Sequence, residues 1–214
     1  MKYPVLIYCT KAKPYLLHEC IYDGEFVKPY RCTDDEGAKE ESLNGLVCFE
    51  CECKKRYDMP LSYNSSYGVY CRTIPFRSKT ILRRSGLSST EFSNYGEGKT
   101  LYALHFGKIK AVKSPYGITG LYSDPDCTKP LKRAPQSWGY AYRRTNVYDR
   151  QRFDQSKWDL KNLKTDGRYY FKVERVLVFS IRSTWCCKYG NGEKDLEIRT
   201  TCPKELLSIQ GAGR

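Results

Sequence analysis

An α+β fold is expected, a mixed β-sheet with short flanking helices and a β-rich C-terminal extension, and three stretches predict it. Leu6-Ile7-Tyr8 lies in a mostly apolar, β-forming run from Tyr3 to Cys9. From Leu46 to Cys53 the residues alternate with period two. Arg168 to Arg182 places Val176, Val178 and Ser180 on one face and Leu177, Phe179 and Ile181 on the other.

The elements follow in chain order. The first strand ends at Thr10, and Pro14 stands where the first turn of a helix accepts proline, with Tyr15, Leu16 and Leu17 beginning its apolar face. Cys32 to Ser42 is acidic, lacks periodic apolar residues and reads as a loop. In the strand after Asn44-Gly45, Val47, Phe49, Cys51 and Cys53 share one face, and Cys48, Glu50 and Glu52 the other. Met59 to Leu87 has no sustained period and reads as a long insertion between strands. Ser88 or Ser89 caps a short helix through Tyr95, stopped at Gly96. Leu101–Phe106 and Ile109–Val112 are strand material broken at Gly107, and Trp138 to Tyr142 is a further strand. Ser156 to Leu163 is a short helix. Asn191-Gly192 signals a hairpin between Trp185-Cys186-Cys187 and Leu196-Glu197-Ile198.

With 214 residues, 40% of them hydrophobic and 29% charged, the chain buries a core and is expected to be globular. Eleven cysteines, an odd number, with no secretory leader at Met1-Lys2-Tyr3-Pro4, point to reduced thiols in a cytoplasmic protein. No apolar run approaches the ~20 residues that cross a bilayer, so no membrane is expected as a partner. The net charge of +13 favours polyanions. It is concentrated where acidic residues are missing: Met59 to Thr90, Lys99 to Ser123 and Cys127 to Tyr148 contain none.

No metal or cofactor is expected. Cys48, Cys51 and Cys53 alternate along a strand, whereas structural zinc takes paired ligands at turns, and no glycine-rich phosphate loop occurs. His105 falls in strand material, as a structural histidine or a cleft residue. The segment Leu131-Lys132-Arg133-Ala134-Pro135-Gln136-Ser137-Trp138-Gly139-Tyr140 runs from a basic, proline-broken lead-in into an aromatic strand. Arg133, Gln136, Trp138 and Tyr140 supply groups that pair with phosphate and stack on bases. Trp138 taken alone reads as a core residue.

That segment, with Leu6-Ile7-Tyr8-Cys9-Thr10-Lys11-Ala12-Lys13-Pro14-Tyr15-Leu16, Leu43-Asn44-Gly45-Leu46-Val47, Tyr95-Gly96-Glu97-Gly98-Lys99-Thr100-Leu101-Tyr102 and His105, resembles a small ASCH-type domain of the kind common in phages and prophages. The resemblance implies a PUA-like mixed β-barrel over residues 1–142, with 143–214 a basic, β-rich extension packed on it or completing it. It also implies a cytoplasmic accessory protein that binds RNA or a modified base or nucleotide in a basic, aromatic barrel cleft. Tyr8, Lys11, Lys13 and His105 would join Arg133, Gln136, Trp138 and Tyr140 there. One branch resembles an amidohydrolase acting on an acylated nucleoside, which would assign catalysis to Lys11, Thr10 and Glu50 or Glu52. This chain has Thr10 before Lys11, the reverse of that branch's order. A third expectation is a host-protein partner or the sequestering of a nucleotide signal, since nineteen tyrosines also suit protein interfaces.

Overall fold

Alternating apolar residues account for most of the architecture. The computed structural model describes residues 4–10, 43–74, 78–96, 98–152 and 163–209. Its strands are β1 (Pro4–Thr10), β2 (Leu46–Met59), β3 (Leu61–Asn64), β4 (Val69–Arg72), β5 (Leu101–Gly117), β6 (Trp138–Asp149), β7 (Lys164–Thr165), β8 (Tyr169–Arg182) and β9 (Leu196–Arg199). The α-helices among the described residues are α1 (Ser78–Ser85), α2 (Ser89–Asn94) and α3 (Ser183–Gly190).

Seven strands form one mixed sheet in the order β6-β8-β1-β2-β5-β9, with β7 paired to β8 and β3–β4 a separate hairpin. The β1–β8 ladder is parallel, with Val5 opposite Leu177, and the rest are antiparallel. The chain is thus mostly β with few helices, compatible with α+β. The sheet is open, since no backbone ladder among the described residues joins β6 to β9. Side chains bridge its two ends instead. Trp138 Nε1, at the start of β6, donates to Thr201 Oγ1 just past β9 at 2.9 Å. Arg199 of β9 donates to Ser180 O at 2.9 Å and to Ser137 Oγ at 3.2 Å.

The two faces of β8 sort as its alternation predicts. Leu177, Phe179 and Ile181 join Val5, Ile7, Phe49 and Phe106 in the main core, and Val176 and Val178 join Leu6, Tyr8 and Leu121 on the opposite face. A third cluster packs Ile81 of α1 and Phe92 of α2 on Leu196 and Ile198. In β2, Phe49, Cys51 and Cys53 face the main core as expected, but Val47 and Cys48 exchange sides. The cause is a bulge: Ile7 pairs with Phe49 and Tyr8 with Val47, leaving Cys48 without an opposite number.

Other expectations are revised. β5 runs unbroken past Gly107, with the irregularity taken up by Lys108 at φ 52° and shifts of register against β2. The described part of the 59–87 stretch, lying between β2 and β5, holds the end of β2, the β3–β4 hairpin and α1. Trp185-Cys186-Cys187 belongs to α3, not to a strand. Asn191-Gly192 ends that helix, with Gly192 at φ 74°. Gly192 N–H bonds Tyr189 O and Glu193 N–H bonds Lys188 O, the paired closure in which a left-handed glycine satisfies the last carbonyls. The expected helices at Pro14 and at 156–163, and the loop at 32–42, lie outside the described residues. Cys9, Cys48, Cys51, Cys53, Cys71, Cys127, Cys186 and Cys202 are free, most of them buried as small hydrophobes. Cys187 departs from the expectation of reduced thiols, being disulfide-bonded. Among the described residues no helix is long and apolar enough to cross a membrane.

Candidate anion-binding cleft

Parallel pairing sets Thr10, the last residue of β1, opposite Arg182, the last of β8. At this end of the sheet, β9 and the termini of α2 and α3 converge around a cleft of about 570 Å³. Thr10, Gln136, Asn94 and Arg182 line it together with the aromatic rings of Tyr95 and Trp185.

Lys194, Glu197 and Arg199 complete the lining with a buried ionic network. Glu197, only 7% exposed, accepts from Tyr189 Oη at 2.7 Å and pairs with Arg199 Nη2 at 2.8 Å and Lys194 Nζ at 3.2 Å. Lys194 is 4% exposed and also donates to Ser85 O at 2.6 Å, tying α1 to this wall. Burial alone would raise the Glu197 carboxyl, but Lys194, Arg199 and the Tyr189 hydroxyl hold it below the usual carboxylate range. Burial lowers Lys194, and Glu197 opposes that shift. Desolvating such ions costs several kcal/mol each, a cost that their mutual attraction and hydrogen bonds offset. Two cations share one carboxylate, so the network keeps a net positive charge. Arg182 and Glu91 add one charge of each sign to the lining, and the cleft as a whole is +1. Arg182 is exposed, and its guanidinium makes no hydrogen bond or ion pair among the described residues.

No family model, curated protein or solved structure matches this chain.

Of the residues expected at a site, Thr10 and Gln136 meet in this cleft although 126 positions separate them. Lys11 and Lys13 lie outside the described residues. Arg133 is exposed on the approach to β6 and does not line the cleft. Trp138 packs against the main core and gives its N–H to Thr201; its ring meets Tyr140 edge-on at 5.8 Å. Tyr140 in turn donates to Glu205 and lies under the Arg175 guanidinium at 4.1 Å. Both rings therefore anchor the C-terminal segment. Tyr8 is buried on the opposite face of the sheet from the main core.

His105 stands elsewhere, with Nε2 3.4 Å from Asp195, whose carboxylate Arg84 grips through Nε at 2.9 Å and Nη2 at 2.8 Å. Burial, then the Arg84 charge, lowers the His105 pKa against the pull of Asp195, which keeps the ring neutral near pH 7. Glu50 is held by both terminal nitrogens of Arg143, at 2.7 and 2.9 Å, and Glu52 pairs with Lys108. The structure does not bring Glu50 to Thr10: it pairs with Leu6, four residues before Thr10 on β1 and about 13 Å away along the strand.

Arg182, Lys194, Glu197 and Arg199 escaped the sequence reading. Their signal was Leu196-Glu197-Ile198-Arg199, where charges alternate with apolar residues, a pattern that ordinarily marks a solvent face. Leu196 and Ile198 do pack on α1 and α2. The curl of the sheet turns the Glu197 face inward as well.

Proposed function

We propose that the cleft binds a phosphorylated nucleotide, free or as part of RNA. The observation that carries this reading is the cation pair Lys194 and Arg199 held over a single carboxylate in a 570 Å³ cleft, with Arg182, which makes no hydrogen bond or ion pair among the described residues, at its edge. Such a site offers charge-assisted hydrogen bonds to phosphate, its size lies within the usual range for small-molecule pockets, and Tyr95 and Trp185 supply aromatic walls for a base. The PUA-like resemblance belongs to the same proposal; what supports it is a curled mixed sheet whose ends are bridged by Arg199 and Trp138. The amidohydrolase alternative has no comparable support, since Thr10 and Glu50 stand apart.

Calorimetric titration with 5′-mononucleotides and short RNA tests the reading. Arg182→Ala is expected to weaken binding by about 1.5–3 kcal/mol, the size of a hydrogen bond to a charged group, and to leave the melting temperature nearly unchanged. Binding should also fall steeply between 50 and 200 mM salt when RNA is the ligand. Binding that ignores both Arg182 and salt would count against it. A protein partner would find a different surface, the β3–β4 hairpin, where Tyr63, Tyr67 and Tyr70 are 58%, 78% and 68% exposed. A contact there would be far less sensitive to salt.

A further inference from the structure

We propose that the cleft is one half of a two-part groove whose ligand is a pair of phosphodiester-linked nucleotides, with Arg83 and Lys188 receiving the second unit. This rests on the nucleotide reading of the cleft and adds to it the length of the ligand.

A second depression of about 590 Å³ lies beside the first, lined by Arg83, Arg84, Gly86, Lys188, Gly192 and the acidic pair Glu193 and Asp195. Chain continuity makes the two neighbours. Gly86 and Asp195 line the second where the adjoining Leu87 and Lys194 line the first, and Lys188 lines the second one helical turn from Trp185 in the first. The partition is thin because Gly86, at φ 72°, lets the end of α1 close on α3: a methyl group there would stand 3.1 Å from the Trp185 ring and 3.3 Å from Lys188 Cδ. Lys188 lies over the same ring, Nζ 5.3 Å from its centre.

The charge of this second depression is positive in its usable part. Asp195 is taken by the two-pronged grip of Arg84, which leaves Arg83 and Lys188 against Glu193 alone. Two helix C-termini end here, and their carbonyls would ordinarily repel an anion. These carbonyls are already capped: Arg84 O by Asp195 N–H, Ser85 O by the Lys194 ammonium, and Lys188 O and Tyr189 O by the N–H groups of Glu193 and Gly192. Each depression is large enough for one nucleotide by the ordinary scale of ligand pockets. Two such spaces, each with cations and with a tryptophan at their boundary, match a ligand that repeats phosphate and base.

The linked pair has two sources, a free dinucleotide or a stretch of single-stranded RNA, and the probes separate them. The full chain is titrated with each of the four 5′-mononucleotides, linear 3′–5′ dinucleotides, a 3′–5′ cyclic dinucleotide and a ten-nucleotide RNA. At least one linked probe is expected to bind tenfold or more tighter than any mononucleotide, and which one names the source. The Arg83→Gln, Lys188→Gln double variant, which keeps a side-chain stem over Trp185, should bring that probe to the mononucleotide level while moving mononucleotide affinity less than twofold. Arg182→Ala should weaken both. Equal affinity for single and linked nucleotides, with Arg182 still required, would overturn the two-part groove and leave the nucleotide site standing. No binding of any probe would overturn both.

Discussion

Glu197 carries a heavy demand for a single side chain, because two cations depend on it where water scarcely reaches. Glu197→Ala would strand Lys194 and Arg199, and removing one partner of a buried ion pair costs about 3–5 kcal/mol; urea denaturation should show a loss of that size. The carboxyl is held below its ordinary pKa in the folded chain. Its contribution is therefore full above the unfolded value of roughly 4.3 and is lost as pH falls through the folded value. The gap in melting temperature between the unmutated protein and Glu197→Gln should accordingly narrow from pH 7 toward pH 3. A gap that stayed constant or widened in acid would mean the carboxylate does not bear this charge balance. None of this was legible from residue type, since a glutamate between leucine and isoleucine ordinarily faces solvent.

Among the elements, α2 was legible and α3 was not. The capping box of α2 is local: Glu91 N–H donates to Ser88 Oγ at 3.2 Å and Ser88 N–H to Glu91 Oε2 at 2.8 Å. Ser88→Ala should cost about 1 kcal/mol, and hydrogen exchange at the Phe92 amide, which bonds Ser88 O, should speed up. Because Asn94 and Tyr95 follow on this helix and line the cleft, the proposed nucleotide binding should weaken with it. For α3 the same dipeptide, Asn191-Gly192, serves two purposes. A left-handed glycine suits both a tight hairpin and a helix stop, and what decided between them was burial of Cys186, Cys187 and Tyr189 on the sheet, information that no local window contains.

For the whole molecule, the decisive contacts are those that bridge the two ends of an open sheet. Tyr140 on β6 is bonded to Glu205, and Arg175 pairs with the same carboxylate at 3.2 Å. Burial first, then the bond and charge of Glu205, push the Tyr140 phenol up to about 12. A raised folded value means the contribution is complete below the unfolded pKa of roughly 10 and disappears as pH rises through about 12. Stability measured between pH 9 and 12 should therefore fall more steeply in the unmutated protein than in Tyr140→Phe. Equal slopes would show that the C-terminal segment is not held through this phenol.

Sequence alone determined which stretches form strands and which of their residues share a face. The alternation of β8, the period of β2 and the cap of α2 are written in residues within a few positions of one another, so local sterics and the separation of apolar from polar side chains suffice to read them. What only the tertiary structure decided was the meeting of distant groups. Thr10 reached Gln136 through the parallel pairing of β1 with β8 and the antiparallel pairing of β8 with β6, while Trp138 and Tyr140 were turned to the C-terminal segment. The curl of the sheet brought Arg199 to Ser137 and Ser180 and enclosed a charged face that would otherwise be solvated. A strand's periodicity says which residues share a side; it does not say whether that side meets water or another part of the chain. Long-range packing settles that, and here it placed the cations of the cleft.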